Sequence, residues 1–225
     1  MLDAASAEKR RQDIADRVVY DPPSLVNTVL VENNTGADLD TGEVVKLLNP
    51  KTLPTDDEVL WETQKVILAG TPDATTVGGA IVAEPIPDNE LGLAYLSGVV
   101  ACTVNVTHAS LTRCDAVNLN TKLETKLEGS HDIVWRSTGT GDQYAYVRMG
   151  PPRTVKVLAK PDGVISPGET NATVSVWANG GDTGYNLTGV NFTWMDADDI
   201  SVGKEIIVTW FPDEMLWRIT HAECE

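Results

Sequence analysis

Three aspartates near the end of the chain, Asp196, Asp198 and Asp199, form its densest group of potential metal ligands. Carboxylate oxygens that share one turn can coordinate calcium. The spacing does not match the twelve-residue loop of a helix–loop–helix calcium site, and Asp38 and Asp40 occupy similar places in an earlier turn. Because Asp side chains commonly cap turns, we interpret both groups as turn-forming and predict no metal site.

The other reactive residue types are dispersed along the sequence. There is no Gly-x-Ser-x-Gly motif for a nucleophile elbow, and the three histidines, His108, His131 and His221, lack local ligand pairing. The Gly-Thr-Gly run at 139–141 has no following Lys-Ser or Lys-Thr, so we predict a hairpin tip and not a phosphate loop. We therefore expect a protein that is not an enzyme and uses no cofactor. The alternative is a β-barrel enzyme whose site is assembled in space from dispersed carboxylates and histidines.

The three cysteines, Cys102, Cys114 and Cys224, are too few and too scattered for a disulfide framework or a zinc site. We predict free thiols. Cys102 shares the inward parity of Val100 and Val104, which makes it a candidate core residue. A Cys102–Cys114 bridge across a hairpin is the open alternative.

The composition is acidic and moderately apolar. The 225 residues are 42% hydrophobic and carry a formal net charge of −16, which argues against direct binding to the phosphate backbone of nucleic acid. No apolar segment reaches the roughly 18–20 residues that span a bilayer, and charges follow residues 1–4 where a secretory signal would have an apolar run. We expect a soluble protein, made in the cytoplasm, that contacts neither nucleic acid nor membrane.

The hydrophobic pattern predicts an all-β chain with two small β-barrel or sandwich modules in tandem after a short N-terminal helical arm. Ala residues and an i, i+4 pair favour a helix at 4–18, within an arm at 1–24. Short strands at close spacing fill a first module at 25–150. Consecutive prolines at 150–153 indicate a boundary, and a smaller, Trp-rich β module follows at 151–225. The predicted strands of the first module are 44–47, 66–68, 81–83, 93–96, 99–106, 122–128 and 143–149. Those of the second module are 154–159, 172–178, 190–194, 205–211 and 216–221.

A turn-and-strand pattern occurs once near each end of the chain. At 38–45 and again at 199–208, an Asp and a Gly bracket a tight reversal that continues into an apolar run. The repetition indicates two β modules built alike.

Tryptophans distinguish the second module. Trp194, Trp210 and Trp217 have the parity of core residues, and large aromatics are one way to fill a small core. Trp177 lies instead on the polar face of its predicted strand, beside Ser175. An outward Trp requires a neighbour, which we expect to be a subunit, a sugar ring or a covering loop of the same chain.

The arm has a narrow apolar stripe and several basic side chains. Two apolar residues are too few to dock it firmly on its own core, so we predict that it reaches a neighbouring subunit; a loosely packed surface helix is the alternative. The candidate partner-binding residues are Lys9, Arg10, Arg11, Ile14, Arg17, Val18 and Trp177.

Two stretches resemble structural proteins of tailed-bacteriophage virions, and most of all capsid decoration or cement proteins. The likeness consists of Gly turns and apolar alternation at 31–47, 79–86, 92–94 and 98–104, and in a closing stretch at 199–224. The resemblance implies a non-enzymatic protein on the virion capsid surface, commonly a homotrimer. It further implies binding to the major capsid protein through the arm and one module, which stabilises the head.

The second module departs from the smallest decoration proteins. The alternative that it raises is a tail, baseplate or fibre component whose module at 154–225 binds a host glycan. In that case Trp177 would be the platform on which a sugar ring stacks.

Overall fold

The computed structural model describes residues 27–76, 78–193 and 198–222. Within them the chain is almost entirely β, and its strands close into three five-stranded barrels in tandem. The predicted all-β class with tandem barrel modules is confirmed. The following predictions lie outside the described residues: the helical arm with Lys9, Arg10, Arg11, Ile14, Arg17 and Val18, and the side chains Trp194, Asp196 and Cys224.

The barrels follow one another along the chain. Barrel 1 contains β1 Thr28–Asn33, β2 Val44–Pro50, β3 Ile67–Gly70, β4 Ala80–Val82 and β5 Leu91–Tyr95, with a short helix, α1, at Glu58–Gln64 between β2 and β3. Barrel 2 contains β6 Gly98–Val106, β7 Arg113–Val117, β8 Asn120–Thr125, β9 His131–Arg136 and β10 Gly141–Met149. Barrel 3 contains β11 Val155–Pro161, β12 Ala172–Ala178, β13 Gly181–Asn191, β14 Ile206–Phe211 and β15 Leu216–Ala222.

The three barrels share one strand arrangement. In barrels 1 and 2 the first strand runs parallel to the third, and the other neighbours are antiparallel. In barrel 3 the parallel pair is β13 and β15, its third and fifth strands. When β13, β14 and β15 are taken as the first, second and third strands, and β11 and β12 as the fourth and fifth, the remaining pairings of barrel 3 match those of barrels 1 and 2. Barrel 3 is therefore a circular permutation of the same topology.

The repeated turn occupies the same position in barrels 1 and 3. Gly42 and Gly203 both have positive φ, and their N–H groups donate to the carbonyl oxygens of Val82 and Pro161, at the ends of corresponding strands. Leu39 and Ile200, each three residues before its glycine, are buried in the corresponding barrel cores. The sequence repeat thus corresponds to one structural element, although the chain enters the two barrels at different strands.

Barrels 1 and 2 share packing, so the predicted first module comprises two joined barrels. Val44 and Ile81 of barrel 1 lie in the core cluster of barrel 2, against residues such as Val100 and Leu123. The connection from β5 to β6 is only residues 96–97, without the proline-rich composition that marks a boundary. The prolines at 150–153 do lie between barrels, joining β10 to β11.

Several elements differ from the predicted ones. α1 and strands β1, β7 and β9 were not predicted, and the predicted strand at 190–194 overlaps only the end of β13. The first part of β13 contains Gly181, Asp182, Gly184 and Gly189, a composition typical of turns. Its hydrogen bonds to β12 outweigh that local preference.

Candidate functional site

The three histidines, all of them in the described part of the chain, are not brought together. His108 bonds Ser110 and contacts Tyr185, His131 is buried in barrel 2, and His221 is exposed at the end of β15. In the part of the chain that the structure describes, no three His, Cys, Asp or Glu residues are arranged to hold a metal ion. The predicted hairpin tip at 139–141 lies in the turn between β9 and β10 and the start of β10.

The described cysteines are buried free thiols of barrel 2. Cys102 has the predicted inward orientation, and burial raises its pKa to about 12. Burial also raises the pKa of Cys114, with smaller contributions from the nearby Cys102 and Asp115. Both thiols stay protonated at neutral pH, which makes them poor nucleophiles.

Trp177 is half-buried and covered by its own chain. The ammonium of Lys160 lies 4.2 Å from the centre of its ring, a cation–π contact. Its indole N–H is buried without a hydrogen-bond partner among the described residues. Of the three neighbours considered for this side chain, the contacts favour a covering group from the same chain. Trp217 is buried as predicted, with the partly buried Trp210 5.6 Å away between ring centres.

Three exposed aromatic residues lie together on barrel 2, and none of them was among the predicted partner-binding residues. Trp135, Tyr144 and Tyr146 are 54%, 77% and 51% exposed; we name them the aromatic cluster. Tyr146 lies opposite Trp135 in the register of β9 and β10, and their ring centres are 5.8 Å apart. Beside the rings, Ala101 and Thr103 of β6 help to line a shallow trough of about 340 Å³.

The same sheet face continues into a group of charges. Arg113, Arg148 and Arg153 surround the carboxylate of Asp132; we name these three arginines the arginine cluster. Arg148 donates to Asp132 at 2.9 Å, and Arg153 donates to its other oxygen. Burial opposes the ionisation of Asp132, but the three guanidinium groups outweigh burial and lower its pKa.

A second apolar surface lies on barrel 1. It is a groove of about 640 Å³ beside α1, lined by residues that include Val29, Leu60, Trp61 and Ile67. Asp57 caps α1 by accepting from the N–H of Leu60. No residue of α1 is buried, so the helix contributes apolar surface to solvent and nothing to the barrel core.

Strand alternation is the signal that could have identified the aromatic cluster. In the predicted strand at 143–149, Ala145, Val147 and Met149 point inward, which places Tyr144, Tyr146 and Arg148 outward. Trp135 gave no such signal because β9 was not predicted. Exposed Trp, Tyr and Arg side chains on one sheet face are residue types enriched at protein interfaces.

No protein-family model matches this chain, and neither a curated protein nor a solved structure matches it. Among the residues that the structure describes, no helix combines the length and the apolar character that crossing a bilayer requires.

Proposed function

We propose that this protein is a non-enzymatic assembly protein that binds other proteins through the outer face of β9 and β10. The observation that carries the proposal is the aromatic cluster of Trp135, Tyr144 and Tyr146 beside the arginine cluster. Trp, Tyr and Arg are the residue types most enriched among the energetically dominant positions of protein interfaces.

The specific role that we propose is that of a cement or decoration protein of a tailed-phage virion. This step rests on the resemblance described above and makes the major capsid protein the partner, with a homotrimer on the capsid exterior. A ligand that binds only the assembled lattice lowers the free energy of that lattice relative to free subunits. Three copies of one face in a trimer would strengthen weak contacts through effective concentration.

The experiment is co-sedimentation with empty shells assembled from the major capsid protein encoded in the same genome. We expect wild-type protein to pellet with the shells and the double variant Trp135→Ala/Tyr146→Ala to remain in the supernatant. Leu119→Ala is the matched control, since Leu119 is also exposed and apolar but lies in the β7–β8 turn. Failure of wild-type protein to bind, or equal binding by the double variant, would contradict the proposal.

A second candidate function is binding of a host glycan by a tail, baseplate or fibre component. The observation that favours this function is the trough beside Tyr144 and Tyr146. An open aromatic surface with hydroxyl groups at its edge can stack on a sugar ring, which makes the trough a better candidate site than the covered ring of Trp177. A glycan array tests this second function: saturable binding to one glycan class that Tyr144→Ala removes would support it, and an array without binding would contradict it.

A further inference from the structure

We propose that the arginine cluster binds a carboxylate group of a partner polypeptide. The proposal deepens the proposed function and rests on it in one respect, namely that the partner of this face is a protein.

The cluster carries more positive charge than its one acidic partner among the described residues balances. Three guanidinium groups face the single carboxylate of Asp132, and no other described carboxylate forms an ion pair with them. One arginine would be enough to balance Asp132. The local excess of two positive charges occurs in a chain whose net charge is −16, and the repulsion from Arg153 adds to burial in lowering the pKa of Arg113.

The cluster also has unused donors. A guanidinium has five N–H donors in a planar fork that matches a carboxylate. Nη1 of Arg113 and Nε of Arg153 are buried without a hydrogen-bond partner among the described residues. Buried donors without an acceptor are unfavourable. Arg148 donates to Asp132 through Nη2 alone, so among the described residues its Nη1 and Nε have no acceptor and are available to one that approaches from solvent.

An incoming group can reach the cluster from solvent. The side chains of Arg148 and Arg153 are 63% and 39% exposed, whereas Arg113 lies deeper. Arg148 and Tyr146 both point outward from β10, so a ligand at the arginines would lie beside the aromatic cluster.

That neighbourhood favours a polypeptide over a free ion. An inorganic anion gains nothing from Trp135 and Tyr146, whereas an acidic side chain with apolar neighbours can occupy both clusters. The acidity of the whole chain opposes nucleic acid. The expected occupant is therefore an Asp or Glu side chain on a protein surface.

NMR titration of the full-length protein tests this inference, with the Nε–Hε signals of the arginines as reporters. The probes are a capped hexaglutamate peptide, a capped hexaglutamine peptide and inorganic phosphate. We expect saturable shifts at Arg148 and Arg153 with hexaglutamate, and none with hexaglutamine. Arg148→Gln should weaken hexaglutamate binding about five-fold or more, since it removes a charged donor.

The matched control is Lys122→Gln, which removes an exposed cation of the same barrel that pairs with Asp142; it should leave the affinity unchanged. Absent or non-saturable shifts with wild-type protein would overturn the proposal without reference to any variant. So would equal weakening by Lys122→Gln, or phosphate binding as tight as hexaglutamate binding. Hexaglutamate binding without attachment to shells would contradict the capsid role alone, and shell attachment without hexaglutamate binding would contradict this inference alone.

Discussion

The side chain of Asp115 holds the junction between barrels 1 and 2. Buried in β7, its carboxylate accepts from the N–H groups of Gly78 at 2.7 Å, Ala116 at 2.8 Å and Ser130 at 3.1 Å. The bond to Gly78 crosses from one barrel to the other. This carboxylate is the hydrogen-bond acceptor for several backbone N–H groups. Its removal is costly because those groups stay buried without an acceptor.

We expect Asp115→Ala to lower the free energy of unfolding by about 3 kcal/mol, since it leaves several buried N–H groups without an acceptor. Urea unfolding followed by tryptophan fluorescence measures the change. Asp142→Ala, which removes an exposed carboxylate paired with Lys122, should cost less than about 1 kcal/mol. Equal effects of the two variants would show that the hydrogen bonds of Asp115 do not stabilise the junction.

His131 predicts a pH dependence of stability. Burial lowers its pKa from the ordinary value of 6.5, and the negative charge of Asp115 opposes the shift only in part. As the pH falls below about 6.5, the unfolded chain therefore binds a proton that the folded chain does not, and stability falls until the pH reaches the folded pKa.

The measurement is urea unfolding of wild type and His131→Gln at pH 7.5 and pH 5.5. Burial raises the pKa of Glu128, which alone would make the folded state more stable as the pH falls, so the difference between the two proteins isolates His131. We expect wild type to lose more stability than His131→Gln over this interval. Parallel losses would mean that His131 titrates alike in the folded and unfolded states.

At the scale of elements, three strands with regular apolar alternation, β6, β10 and β12, were predictable, whereas β7 and β9, whose buried positions include Asp115 and His131, were not. β12 was predicted with its observed bounds, and β6 and β10 nearly so. β7 was missed because its interior carries Asp115, a residue that only long-range hydrogen bonds accommodate in a strand. The aromatic cluster depends on the pairing of β9 with β10. The apolar periodicity of one strand does not predict which strand lies next to it.

Helix α1 illustrates an element that local signals stabilise without the core. Its N-cap Asp57 accepts from Leu60 N–H, and loss of such a cap costs about 1 kcal/mol. We expect Asp57→Ala to accelerate amide exchange at residues 58–64 while leaving the melting temperature of the protein unchanged, because no residue of α1 is buried. A lowered melting temperature would show that α1 supports barrel 1.

At the scale of the whole molecule, three barrels of one topology form a chain in which the first two are interdependent. Ile81 belongs to barrel 1 by strand pairing and to the core of barrel 2 by packing. A Cβ on Gly42, whose φ is +88°, would lie 3.0 Å from Cα of Cys102 in the other barrel. Barrel 3 has its own core around Phe192 and Trp217, and Leu127 of barrel 2 packs against it.

We expect Ile81→Ala to destabilise both joined barrels, by about 2–5 kcal/mol, as for other large-to-small changes in cores. Hydrogen exchange should therefore accelerate in β6–β10 as well as in β1–β5. The matched control is Ile219→Ala in the core of barrel 3, for which the acceleration should be confined mainly to β11–β15. Acceleration limited to barrel 1 in Ile81→Ala would contradict the shared core.

The central claim is that the outer face of β9 and β10 binds a neighbouring protein in an assembled particle. A cryo-electron microscopy reconstruction of the particles produced from the genome that encodes this chain tests it most directly. We predict density for the three barrels on the capsid exterior, with Trp135, Tyr146 and Arg148 against the major capsid protein and an acidic side chain at the arginine cluster. A reconstruction in which this face points into solvent, or in which the chain is absent from the particle, would contradict the claim.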